Sequence, residues 1–151
     1  MITIEEFKKK QLNKSRLIGL DLGSKNIGVS ICDEKQSIAT PFKTIVKKSA
    51  MELIEELKLI IKENDIKGII IGYPINMDGT TGPSSQSVRD ITNNFSKNID
   101  IPICFWDERL STVGAFNLSG QLDINVSKTG KNIDENAAAF ILQGALDFIN
   151  N

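Results

Sequence analysis

Residues 68–72 read Gly-Ile-Ile-Ile-Gly. Three consecutive isoleucines leave no polar face, so a strand built from them is buried on both sides. Just before them, Ala50, Leu53, Ile54, Leu57, Ile60 and Ile61 recur at helical spacing. Glu52, Glu55, Glu56, Lys58, Lys62 and Glu63 fill the other positions of Ala50–Asn64. An amphipathic helix leading into a two-sided strand implies a crossover, and so parallel pairing with an earlier strand.

The earlier strands are legible. Leu17–Leu22 and Ile27–Cys32 are apolar runs with Ser24-Lys25-Asn26 between them, the pattern of a β-hairpin. Ile38–Ile45 adds a third strand, in which Pro41 implies an edge or a bulge. Beyond the isoleucines, Pro74–Pro83 (PINMDGTTGP) is a loop, and Ser84 or Ser85 can cap a helix running to about Lys97. Pro102–Trp106 is a further strand, ending in Asp107-Glu108-Arg109. A helix follows Ser111 to about Gln121, and Asn125–Asn132 is polar. The last helix, Asp134–Asn150, carries Ala137, Ala138, Ile141, Leu142, Ala145, Leu146 and Ile149 on one stripe.

The order β-β-β-α-β-α-β-α-α implies an α/β fold of RNase H-like type, a mixed five-stranded sheet flanked by helices. Three antiparallel strands come first and parallel strands follow, unlike a doubly wound sheet, which alternates from the start. A length of 151 residues suits one domain. Residues 16–151 are read as that domain and residues 1–15 as a polar N-terminal extension with a short helix over Ile4–Leu12.

Composition narrows the chemistry. The chain has no histidine and two cysteines, which removes Ser-His-Asp and Cys-His catalysis and histidine metal sites. Cys32 and Cys104 sit in apolar strand-like runs and read as buried thiols. No apolar run reaches the ~20 residues of a membrane helix. Lys8, Lys9 and Lys10 are not followed by the apolar stretch of a secretory signal. The expected location is cytoplasmic. The net charge of -1 does not advertise nucleic-acid binding, although lysines cluster at 8–10, at 43, 47 and 48, and at 128 and 131.

Acids stand at three element ends. Asp21 lies inside the first apolar strand, Asp107 and Glu108 close the last strand, and Asp134 opens the last helix. In this topology the first and fourth strands are central neighbours, and the last helix can cross their ends. Converging carboxylates repel unless a hard cation such as Mg²⁺ joins them. Two such ions can activate water and stabilise the leaving oxygen of a displacement at phosphorus, without histidine. Asp134 also fits a plain first-turn acid. Alternation sends Asp107 and Glu108 to opposite faces, and a salt bridge to Arg109 is a structural account of either.

Four segments carry a resemblance: IGLDLGSKNIGVS (Ile18–Ser30), IIIGYPINMDGTTGP (Ile69–Pro83), DERLSTVGA (Asp107–Ala115) and DENAAAFILQGALD (Asp134–Asp147). In order and spacing they resemble the signature blocks of the YqgF family. These are bacterial RNase H-like proteins associated with pre-16S rRNA cleavage and, alternatively, with Holliday junction resolution. The resemblance implies Asp21, Glu108 and Asp134 as catalytic acids and ligands of Mg²⁺ or Mn²⁺, with Asp107 the alternative to Glu108. It departs at Tyr73, where the family usually has leucine, and at Gly114, where it usually has glutamate. Gly114 cannot complete a capping box with Ser111, which predicts a looser helix start.

On this reading Lys25, Asn26, Arg109, Lys128 and Lys131 are candidate nucleic-acid contacts, each also readable as surface. Trp106 is either a base-stacking platform or a core residue. The implied partner is structured RNA, immature ribosomal RNA first, with branched DNA as the alternative and either a monomer or a homodimer as the working unit. Two other functions compete. DLGSKNIG resembles the phosphate-binding hairpin of the actin and sugar-kinase superfamily, but that superfamily needs two such domains. A non-catalytic nucleic-acid or ribosome-assembly module would keep the fold without converging acids.

Overall fold

A computed structural model describes residues 2–10, 15–23, 25–74, 82–107 and 133–151. Glu108, Arg109, Lys128, Lys131, the helix expected after Ser111 and most of the 74–83 loop lie outside the described residues. In chain order the elements are α1 (Ile4–Lys10), β1 (Arg16–Leu22), β2 (Asn26–Cys32), β3 (Ala39–Val46), α2 (Ala50–Glu63), β4 (Ile66–Tyr73), α3 (Pro83–Asn98), β5 (Ile103–Asp107) and α4 (Ile133–Asn150).

The strands form one sheet in the order β3-β2-β1-β4-β5. β1 pairs antiparallel with β2, and β2 with β3, while β1–β4 and β4–β5 are parallel. This is the mixed sheet the sequence predicts. Pro41 sits on the edge strand β3, opposite Ser30 and beside an irregularity in the β2–β3 register. An edge is where a missing N–H costs no ladder bond.

β4 explains why both sheet faces are covered. Ile69 and Ile71 join Leu57, Ile60, Val88 and Phe95 in the core beneath α2 and α3. Ile70, between them, points the other way and packs with Leu142 and Leu146 of α4. α2 begins at the N-cap Ser49, whose side chain accepts from Glu52 N.

α3 starts differently from the expected serine cap. Gly82 is the N-cap, and Pro83 takes the first helical position, where its missing N–H is no loss. Ser85 instead donates to the Pro74 carbonyl, fastening the start of α3 to the end of β4.

The N-terminal extension is part of the packed structure. Ile2 bridges Cys104 on the outer edge of β5, and Ile2 N donates to Ile103 O at 3.1 Å. Phe7 is fully buried in the same cluster as Leu17, Ile70, Cys104 and Trp106. Gly68 makes room for it, because a Cβ there would run into the Phe7 ring and reach 3.0 Å from Leu17 Cδ2. Lys8 Nζ also bonds the Asn151 carbonyl at 2.5 Å, tying α1 to the chain's C-terminal end. Phe7 is the lone buried residue of α1, which hides it from any search for a repeating apolar stripe.

Truncating Phe7 leaves a void that α1 alone cannot fill. Phe7→Ala is expected to cost about 3–5 kcal/mol, read as a lower midpoint in urea unfolding; an unchanged midpoint would show that α1 does not contribute to the core.

Candidate active site

The site begins with strand parity. On β1, Leu17, Gly19 and Asp21 share one face, because successive side chains alternate. That face is the one α4 covers. A Cβ at Gly19 would lie 2.6 Å from Leu142 Cβ and 3.1 Å from the Ala138 carbonyl oxygen. Asp21 pairs with Gly28 across the β1–β2 ladder, and opposite partners project to the same side. A Cβ at Gly28 would overlap the Asp134 carbonyl and come within 3.2 Å of Asp134 Cα. The main chain of Asp134 therefore rests on Gly28, whose register partner is Asp21. The main chains of two of the three expected acids, from distant parts of the sequence, thus come together at one rung.

The rung extends one strand further. Gly28 pairs with Thr44 of β3, and Thr44 Oγ1 donates to Glu135 Oε1 at 3.3 Å. Asp134 and Glu135 both occupy the first turn of α4, where the helix N-terminus favours negative charge. Asn26 lies two residues from Gly28 on the same strand face.

Side chains along α4 hold this placement. Ser30 is fully buried, and its hydroxyl donates to the Ala138 carbonyl at 2.8 Å, with Gly19 O at 3.3 Å. Farther along, Gln143 Oε1 accepts from Ala39 N at 2.9 Å, and Asn150 Nδ2 donates to Gln36 O at 2.7 Å. The helix is thus fixed to β2, to β3 and to the turn between them. Gly19, Gly28 and Ser30 were not singled out from the sequence. Their signal is small residues at alternate positions of two paired strands, facing a helix with Ala137-Ala138.

Asp107 goes elsewhere. It ends β5 opposite Tyr73, two residues after Phe105, and alternation places it on the face covered by α2 and α3. Trp106, between them, is buried. Its indole lies 3.0–3.2 Å from where a Gly144 Cβ would stand, and its ring meets Phe148 edge-on at 6.0 Å. The core reading of Trp106 therefore holds, and the base-stacking one does not.

Burial pushes the Cys32 thiol up to about 11 and the Cys104 thiol up to about 12. Both stay protonated near neutral pH, so neither supplies a thiolate nucleophile. Among the described residues, no three His, Cys, Asp or Glu side chains are grouped to hold a metal ion. Asp21 and Asp134 are the described members of the expected trio, and Glu108 lies outside. Lys25 and Asn26 stand at the β1–β2 turn, at the same end of the sheet as the acid rung.

Gly28 makes this arrangement testable. Gly28→Ala forces a methyl against the main chain of α4, with a cost of about 1–3 kcal/mol from overpacking. The chain has one tryptophan, and it packs on α4. The variant should unfold at lower urea and shift the Trp106 emission; wild-type stability and emission would contradict the seat.

Comparison with known proteins supplies the context. The family profile described as "RuvX: Holliday junction resolvase" matches residues 15–148. A Pelagibacter ubique protein named "Putative pre-16S rRNA nuclease" is 71% identical over 151 residues, covering 100% of each chain. A protein of the same name from Chelativorans sp. is 44% identical, covering 97% of this chain and 92% of its own. Among solved structures, "T. thermophilus RuvC in complex with Holliday junction substrate" superposes with a TM-score of 0.59 at 10% identity, over 87% of this chain and 93% of that one. That likeness establishes the RNase H-like fold. No helix among the described residues is long and apolar enough to cross a membrane. With a profile match over most of its length and a relative of the same full length, the chain belongs to the RuvX family.

Proposed function

We propose that the chain is a metal-dependent nuclease that acts on the immature end of 16S ribosomal RNA in the cytoplasm. The observation that carries this reading is the meeting of Asp21 and Asp134 at one rung across Gly28. The chain is a hydrolase of phosphodiester bonds, in keeping with its family and with the names of its relatives.

The donor set suits a hard cation. Carboxylate oxygens are the ligands Mg²⁺ and Mn²⁺ prefer. The chain has no histidine, and both thiols are held protonated by burial. Asp21, Glu108 and Asp134 would hold the ion. Glu108 is chosen over Asp107 because Asp107 alternates onto the α2–α3 face. When bound, such ions activate water and stabilise the leaving oxygen at phosphorus.

The protein's own residues set position and charge. β1 is a central strand, and the β1–β2 ladder holds the Asp21 main chain opposite Gly28. Asp134 gains from the positive end of α4. Thr44, through Glu135, keeps that helix end over β3. Asn26, farther out on the same face of β2, would meet substrate backbone. Arg109, Lys128 and Lys131 are proposed as further backbone contacts.

A second reading, cleavage of a four-way DNA junction, is favoured by the description of the family profile. The name shared by relatives that match 100% and 97% of this chain favours ribosomal RNA as the first reading. A monomer suffices for trimming an RNA end, whereas junction resolution calls for a symmetric dimer.

Purified protein with Mg²⁺ or Mn²⁺ should cleave a pre-16S RNA fragment faster than a DNA four-way junction. Asp21→Asn or excess chelator should bring cleavage to background while the circular dichroism spectrum stays native. Undiminished cleavage in either case would refute the metal-carboxylate site, and a faster rate on the junction would reverse the substrate assignment.

A further inference from the structure

The net charge of -1 hides one basic corner, at the end of the sheet that carries the acid rung. The β2–β3 ladder runs outward from the Gly28–Thr44 pair to Asn26–Val46. Beyond it, Lys47 N donates to Lys25 O at 2.9 Å. That bond fastens the β1–β2 turn to the connection between β3 and α2, so two lysines far apart in sequence share one place. At ~3.3 Å per residue, Lys25 lies roughly 10 Å along the strand from the Asp21–Gly28 rung.

The neighbouring lysines are already committed. Lys43 and Lys48 share the Glu56 carboxylate, at 2.9 and 3.6 Å, and that pairing holds Glu56 below the usual carboxylate range through the Lys43 hydrogen bond first. Among the described residues, no ion pair involves Lys25 or Lys47. Both are exposed. Among the described residues, the corner therefore keeps two ammonium groups with no ion-pair partner where it borders the carboxylates.

We propose that Lys25 and Lys47 form a phosphate-contact corner that carries the nucleic-acid strand away from the carboxylate site, over the β2–β3 side of the sheet. This rests on the nuclease reading and assigns the substrate's path within it. A polyanion lying over the acids meets its own sign there, and the corner supplies the opposite sign next to it. Ammonium groups read a phosphate backbone without reading bases, so this contact gives position and affinity but no sequence preference.

The test is the salt dependence of binding, measured in chelator so that no strand is cut. A short fluorescent single-stranded RNA is titrated with wild-type protein and with Lys25→Gln, Lys47→Gln and the double variant, over a range of KCl. Each lysine lost should reduce the slope of log affinity against log salt by about 0.7, and the double variant by about 1.4. The loss should be the same for RNAs of different sequence. Lys35→Gln, in the β2–β3 turn at the opposite end of the sheet, should leave the slope unchanged. A double variant with the wild-type slope, or a Lys35 variant with an equal loss, would overturn the corner and leave the nuclease reading intact. Absence of salt-dependent RNA binding by the wild type would overturn both.

Discussion

The close approach of α4 to the sheet is the constraint on which the rest of the site depends. A helix is normally held off a sheet by the side chains that fill the gap between them. Here Gly19 and Gly28 remove two of those side chains, and the main chain of α4 moves into the space. Ser30 makes the approach favourable by bonding the Ala138 carbonyl from a fully buried position. Without its partner, that hydroxyl would carry a desolvation penalty of about 1–3 kcal/mol. The geometry and the polar contact therefore enforce each other. The first turn of α4 arrives over β2 with Asp134 beside Asp21.

Topology does the remaining work. β1 is central because β2 returns antiparallel on one side and β4 arrives parallel on the other. An acid near the end of such a strand sits on a fixed rung and faces α4. An acid in the first turn of the covering helix sits on a second fixed element. The two are separated by more than a hundred residues, yet need only the β1–β2 register and one glycine to meet. The positive end of α4 offsets part of their repulsion, and the Lys25–Lys47 corner offsets more on the solvent side. A chain that is nearly neutral overall is in this way strongly polarised at one end of its sheet.

Much of this was legible in the residues. The three isoleucines of β4 demanded cover on both faces, and α2 with α3 on one side and α4 with α1 on the other provide it. The period change at Ala50 located α2, and Pro41 correctly marked β3 as an edge. Asp21 stood out because an acid inside an apolar strand needs a reason. What escaped the sequence were contacts between distant elements. Phe7 is a lone apolar residue on a lysine-rich helix, so no stripe announced that it fills the space over Gly68. Gly28 looked like part of a hairpin, while its role is to admit the Asp134 main chain from the far end of the chain. Ser85 had the chemistry of a helix cap but spends its hydroxyl on Pro74, because Pro83 already starts the helix. The β4–β5 register puts Asp107 on the α2–α3 face, which alternation alone did not say, while Glu108 lies outside the described residues.

The central proposal is that Asp21 and Asp134, whose main chains meet across Gly28, would together with Glu108 hold the divalent metal. Anomalous diffraction from crystals soaked in Mn²⁺ tests it most directly. The expected result is a metal peak at these carboxylates, on the α4 side of the sheet. A peak elsewhere, or density in which the two side chains turn away from each other around an empty rung, would contradict it.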